Sequence, residues 1–118
     1  MSEIGKINLL AARALADELI RCGVEHVCLS PGSRSAPMAI AFAETGGRLW
    51  VHFDERSTAF FALGLAKHSR KPVVALCTSG TAASNFYPAV IEASYSAIPL
   101  IVITCDRPPE LVDFGSPQ

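Results

Sequence analysis

Charge is scarce in this sequence, and what there is nearly cancels. Charged residues make up 18% of 118 positions, and Lys+Arg 10 against Asp+Glu 11 leave a net charge of -1. The cations are scattered, so there is no basic field to hold nucleic acid. No apolar run is long enough to span a bilayer, and the first residues lack a basic-then-apolar leader pattern, so a cytoplasmic location is expected. The four cysteines, Cys22, Cys28, Cys77 and Cys105, form no CxxC pair, which argues against a zinc site or a disulfide framework. Cys28, Cys77 and Cys105 fall in or at the ends of predicted strands, where a free cysteine acts as a small buried hydrophobe. Also missing are the Gly-Lys-Ser/Thr ending of a phosphate loop, a G-x-G-x-x-G after a strand and a G-x-S-x-G elbow. Nucleotide and serine-hydrolase chemistry each lose their signature. There is no low-complexity tract, linker or solenoid repeat, and the length suits one domain at most.

Apolar residues, by contrast, are plentiful at 50%. That proportion points to a parallel sheet buried on both faces, or to surface meant for a partner. Strands are predicted at His26–Leu29, Leu49–Phe53, Val73–Thr78 and Leu100–Cys105, with helical stretches before and between them. The alternation implies an α/β fold: an open parallel sheet with right-handed crossovers and helices on both faces. Residues 73–77 and 100–103 are continuously apolar, as central strands should be. A first helix, about Ile7 to Cys22, should bury Ala11, Leu15, Leu19 and Cys22 and expose Arg13, Asp17 and Arg21, with Gly23 ending it. A second begins near Pro37. The third, about Asp54 to His68, is apolar almost all round and should be buried on most sides. Gly64 within it costs roughly 1 kcal/mol relative to Ala, so close packing against another backbone is expected there. The fourth, about Thr81 to Tyr95, contains Pro88, which must kink or divide it. Trp50 and the phenylalanines are core candidates, and the three histidines read as structural. After Cys105 the chain enters Asp-Arg-Pro-Pro-Glu-Leu, a loop of the kind that leads to a further element. The sheet is therefore expected to be incomplete, the chain part of something longer, and its uncovered apolar surface prone to self-association.

In open parallel sheets ligands bind beyond the carboxyl ends of the strands, so four loops matter. Ser30-Pro31-Gly32-Ser33-Arg34-Ser35 offers backbone N–H groups and an Arg fork suited to a carboxylate or phosphate, and suits a tight turn with a solvated Arg equally well. Asp54-Glu55-Arg56 reads first as a helix cap followed by a first-turn anion. Thr78-Ser79-Gly80-Thr81 is a short Gly turn before a helix, and Asp106-Arg107 could be a surface ion pair.

Six segments nevertheless occur in a telling order: Ser-Pro-Gly-Ser-Arg-Ser (30–35), His-Phe-Asp-Glu-Arg (52–56), Ala-Leu-Gly-Leu-Ala-Lys (62–67), Thr-Ser-Gly-Thr-Ala (78–82), Asn85-x-Tyr87-Pro88-Ala89 and Asp-Arg-Pro-Pro-Glu-Leu (106–111). Together they resemble the N-terminal part of the 2-succinyl-5-enolpyruvyl-6-hydroxy-3-cyclohexene-1-carboxylate synthase family, thiamine-diphosphate enzymes of menaquinone biosynthesis. The resemblance covers essentially the whole chain. It implies that residues 1–118 are the N-terminal part of a pyrimidine-binding domain of thiamine-diphosphate type, without the middle and diphosphate-binding domains.

The family decarboxylates 2-oxoglutarate and adds the succinyl-semialdehyde carbanion to isochorismate, and the full-length enzymes are homodimers or homotetramers. By its place in the motif Glu55 matches the family's catalytic glutamate, which hydrogen-bonds the cofactor's pyrimidine N1′. The resemblance further implies cofactor contacts at Ser79 and Gly80 and substrate contacts at Ser33, Arg34, Arg107 and Gln118. Before Gln118 the family usually has Gly-Ala-Asn, where this chain has Gly115-Ser116-Pro117. No metal ligand is implied here, since the Mg²⁺ site belongs to the diphosphate-binding domain. The fragment alone should be inactive and bind thiamine diphosphate weakly or undetectably.

Two other readings stay open on sequence. Ala93-x-Tyr95 followed by Pro99 and an apolar strand also resembles acetolactate synthase, although the 30–34 and 106–110 runs oppose that assignment. A non-catalytic α/β interaction module is opposed by the presence of Glu55 and Arg34.

Overall fold

A computed structural model describes residues 2–111. The elements are α1 (Glu3–Arg21), β1 (His26–Leu29), α2 (Ala36–Glu44), β2 (Arg48–Val51), α3 (Glu55–Ser69), β3 (Val73–Cys77), α4 (Thr81–Asn85), α5 (Tyr87–Tyr95), β4 (Leu100–Thr104) and a 3-10 turn (Pro109–Leu111). The strands form one all-parallel sheet in the order β2-β1-β3-β4. The predicted open α/β architecture is therefore what forms.

Alternating side chains feed two cores, one on each face of the sheet. Val27, Leu29, Val74 and Leu76 pack with Ala12 and Ala16 of α1 and Met38, Ala41 and Phe42 of α2. Cys28, Val73, Ala75 and Cys77 pack on the other face with Ala59, Ala62 and Ala66 of α3, with Ala82 and Phe86, and with Ala89 of α5. Small residues dominate the α3 contribution, which lets that helix lie close to the strands. Burial pushes the Cys28 thiol up to about 12, so it stays a neutral core side chain at physiological pH.

Several boundaries and faces differ from the sequence-based expectation. Helix α1 begins earlier because Ser2 caps it, its Oγ accepting from the Gly5 N–H at 3.1 Å. The helix buries Ala12 and Ala16, whereas Ala11, Leu15 and Cys22 are exposed and Leu19 is only partly covered. The small side chains face the sheet, and the larger apolar ones are displaced by about one residue round the helix. Strand β2 is not a buried strand: it ends at Val51 and forms an edge, leaving Trp50 and Val51 exposed and Phe53 91% exposed. Strand β4 is the opposite edge among the described residues, not a central strand, and only β3 is buried along its whole length. Gly64 does not pack against another backbone, because a Cβ there would meet nothing within 4 Å. Phe60 on the same helix is likewise exposed. Pro88 divides the fourth helix into α4 and α5, with Phe86 between them. The histidines are structural where a contact is formed: the Trp50 Nε1–H donates to His26 Nδ1 at 3.1 Å, and His52 lies 4.7 Å from Phe61, ring to ring.

Two ion pairs join separate segments at the surface. Arg13 of α1 donates twice to Glu44 of α2, at 2.6 and 2.8 Å, and Lys71 pairs with Glu25. Each cation's hydrogen bond holds its carboxylate partner below the usual carboxylate range. Depressed carboxyl pKa values favour the fold above the unfolded value and lose that contribution as pH falls through the folded one. The melting temperature should therefore be level from about pH 7 to 5 and fall below about pH 4, by less in Glu44→Gln. A melting temperature unchanged from pH 5 to 3 would remove these pairs from the account.

Candidate functional site

The sheet order creates a switch point. From β1 the chain moves outward to β2, then returns across β1 by way of α3 to enter β3 on its other side. At such a point the connections leave neighbouring strands in opposite directions, opening a crevice beyond their carboxyl ends. The β1–α2 and β3–α4 loops meet there. A Cβ built on Gly32 would stand 2.5 Å from Thr78 Cβ, so only a glycine allows the two loops this approach. Thr78 Oγ1 is buried with no hydrogen-bond partner. Ser79 is 7% exposed, and Gly80 has φ 76 and ψ -137, a conformation that L side chains rarely adopt.

Glu55 is the first residue of α3. Asp54 is the cap, its Oδ1 accepting from the Ser57 N–H at 2.7 Å, and this bond holds the Asp54 carboxyl below its ordinary range. The start of α3 is also fixed to β1 through a buried hydroxyl pair. Thr58 Oγ1 donates to the Asp54 carbonyl at 2.8 Å, and the 2.6 Å contact between Ser30 Oγ and Thr58 Oγ1 then has Ser30 as donor. Sequence reasoning missed Ser30 and Thr58 as positioning residues; a Thr four places after a capping Asp was the only available signal. Glu55 is half-buried, and its charge is felt at Cys77, the last residue of β3. Burial pushes the Cys77 thiol up to about 11, and the charges of Glu55 and Cys105 add to the rise. The cap and the acid are thus divided between two residues, leaving the Glu55 carboxylate free of the capping role.

Two of the predicted substrate residues, Arg34 and Arg107, line grooves beside α1. Arg34 lines a groove of about 350 Å³ with Asn8, Ala11, Ala12, Leu15, Pro37, Met38 and Asp106. Arg107 lines a groove of about 500 Å³ with Asn8, Asp106 and Glu110 among its walls. Asp106 Oδ1 accepts from the Arg107 N–H at 2.7 Å, and Arg107 is 9% exposed, so it is not a member of a solvated surface pair. Ser33 is exposed in the β1–α2 loop. Glu55 lines neither groove; Arg34 and Arg107 line separate grooves that share Asn8 and Asp106. Gln118 lies outside the described residues.

A parallel-sheet domain with an acid at the head of α3 and two loops meeting at the switch point has the form of a ligand-binding domain. The chain belongs to the family described as thiamine pyrophosphate enzyme, N-terminal TPP binding domain, which matches residues 10–118. It is 58% identical over 119 residues to the 2-succinyl-5-enolpyruvyl-6-hydroxy-3-cyclohexene-1-carboxylate synthase of Myxococcus xanthus, covering 100% of this chain and 20% of that protein. It is 55% identical over 113 residues to the synthase of the same name from Haloarcula marismortui, covering 95% and 19%. The chain thus spans about a fifth of the length of these curated relatives. Among solved structures, the thiamine diphosphate-dependent 4-hydroxybenzoylformate decarboxylase of Rhodococcus jostii RHA1 superposes with a TM-score of 0.78 at 19% identity, over 90% of this chain and 20% of that one. That likeness is one of fold.

The residues fit the cofactor's pyrimidine end. The close approach of Gly32 to Thr78 and the unpartnered Thr78 hydroxyl supply a floor, and Glu55 supplies an acid at the same, carboxyl edge of the sheet. No helix among the described residues is long and apolar enough to cross a membrane.

Proposed function

We propose that this chain is the N-terminal pyrimidine-binding part of a cytoplasmic thiamine-diphosphate-dependent synthase. The synthase forms a C–C bond, joining the four-carbon unit left by decarboxylation of 2-oxoglutarate to isochorismate in menaquinone biosynthesis. The observation that carries this reading is the pairing of 58% identity to the Myxococcus xanthus synthase with a half-buried Glu55 that does not serve as the helix cap.

When bound, thiamine diphosphate supplies the carbon nucleophile that an amino-acid side chain cannot. The part of this chain is to bind, orient and hold a proton. Glu55 holds a proton against the pyrimidine ring nitrogen, and the Ser30–Thr58–Asp54 hydrogen bonds keep its helix end in place. Ser79 and Gly80 border the same end of the ring. Ser33, Arg34, Arg107 and Gln118 receive the carboxylates of the two substrates, Arg by its planar fork. The Mg²⁺ and diphosphate contacts belong to another domain, and the complete enzyme is a homodimer or homotetramer in this proposal.

The test is 2-oxoglutarate consumption by the complete gene product with thiamine diphosphate and Mg²⁺, with and without isochorismate. Isochorismate-dependent turnover is expected, and residues 1–118 alone should show neither turnover nor saturable submillimolar cofactor binding. Turnover of pyruvate instead of 2-oxoglutarate would move the chain to an acetolactate-synthase type of reaction.

A further inference from the structure

Helix α1 contributes one side chain to the candidate site that the sequence reading did not assign. Asn8 lines both grooves, the one holding Arg34 and the one holding Arg107, and Asp106 is the other residue common to the two. Its α1 neighbours in the walls are Ile4, Ala11, Ala12 and Leu15, all apolar, together with Ser2. The Ser2 hydroxyl is already engaged in capping. Asn8 is therefore the uncommitted polar group that this helix brings to the grooves, and its amide has no hydrogen-bond partner among the described residues. Asn is also a poorer helix former than Ala, and here the helix gains no internal bond in return.

The donor inventory narrows the ligand. Arg34 and Arg107 offer only donors, Asp106 only acceptors, and an amide offers both. A carboxylate alone would be served by the arginines. A ligand with a hydroxyl near its carboxylate is matched at one point by a single group that accepts from the hydroxyl and donates to the acid, as an amide does. We propose that Asn8 is a specificity residue that binds the hydroxyl-bearing carboxylic acid substrate, bridging the Arg34 and Arg107 grooves. The inference rests on the proposed function, whose second substrate is the hydroxylated one.

The experiment uses the complete gene product with thiamine diphosphate and Mg²⁺, as wild type, Asn8→Ala, Asn8→Ser and Arg34→Ala. In Asn8→Ala the KM for isochorismate should rise roughly tenfold while kcat and the KM for 2-oxoglutarate stay near wild type. Its melting temperature should be equal or higher, since Ala favours the helix. Asn8→Ser, which keeps a group that both donates and accepts, should recover part of the KM loss. An unchanged KM in Asn8→Ala beside a raised one in Arg34→Ala would overturn the Asn8 assignment and leave the proposed function standing. A lower melting temperature with both KM values and kcat impaired together would make Asn8 structural and overturn it as well. No isochorismate-dependent turnover in wild type would remove the proposed function and the Asn8 inference with it.

Discussion

Replacing Glu55 by Gln in the complete gene product should lower kcat by a factor on the order of 10² to 10⁴, the range for loss of one positioned proton-transfer group. That is roughly 2.7 to 5.5 kcal/mol of barrier. The substitution keeps the size and the hydrogen-bonding reach of the side chain but cannot share a proton with a ring nitrogen as a carboxyl does. Stability should change far less. Asp54 caps the helix, and Glu55 contributes to the fold only as an anion in the first turn, worth about 0.3–1 kcal/mol. The decisive pairing is steady-state turnover beside a thermal melt. A variant as active as wild type would reduce Glu55 to a charge at a helix end.

The second large effect is expected at Gly32. An added Cβ would fall 2.5 Å from Thr78 Cβ and 2.7 Å from Thr78 Cγ2. Thr78 follows directly on β3, whose residues are all buried, so its Cβ cannot retreat cheaply. Overpacking of this kind costs about 1–3 kcal/mol. Because Ser35 Oγ donates back to the Gly32 carbonyl at 2.9 Å, the strain should displace the whole β1–α2 loop, Ser33 and Arg34 included. Gly32→Ala should therefore lower the melting temperature and raise the substrate KM by an order of magnitude or more. Thr78→Gly removes the three atoms nearest to the new methyl. The double variant Gly32→Ala/Thr78→Gly should recover turnover that Gly32→Ala alone has lost. If Gly32→Ala behaves as wild type, the loops are not held together by this approach.

The placement of the acid and the arginines bears on mechanism. Glu55 heads α3, and the Arg34 and Arg107 grooves lie against α1 and α2; under the proposed function the carboxyl edge of the sheet would separate cofactor ring from substrate carboxylates.

Much of this was legible in the chain, for local reasons. Strands β1 and β3 could be read from runs of Val, Ala, Leu and Cys because burial on both faces leaves no polar alternation. A break at Pro88 was legible, since proline lacks the N–H that a continuous helix needs; whether it kinks or divides the helix was not, and the structure divides it. Asp54 as cap and Glu55 as first-turn acid followed from residue type and order. Edge strands were misjudged because apolar character does not say which strands end up with a neighbour on each side. Trp50, Val51 and Val102 have the composition of a core and stand exposed on the two edges. Gly64 misled for a similar reason: its cost to the helix is local, whereas the space beside it depends on what packs there.

By itself the sequence determined the parallel α/β class, the cap, the motif residues and the family, because propensity, hydrophobic patterning and short motifs act within a few residues of one another. Only the tertiary structure decided the order β2-β1-β3-β4, and with it everything that depends on residues far apart in the chain. It brought Gly32 against Thr78, tied Ser30 to Thr58 across 28 positions, and set Asn8 beside both Arg34 and Arg107. Those meetings are fixed by which strands pair and which face each helix covers, and a packing choice of that kind has no local signature.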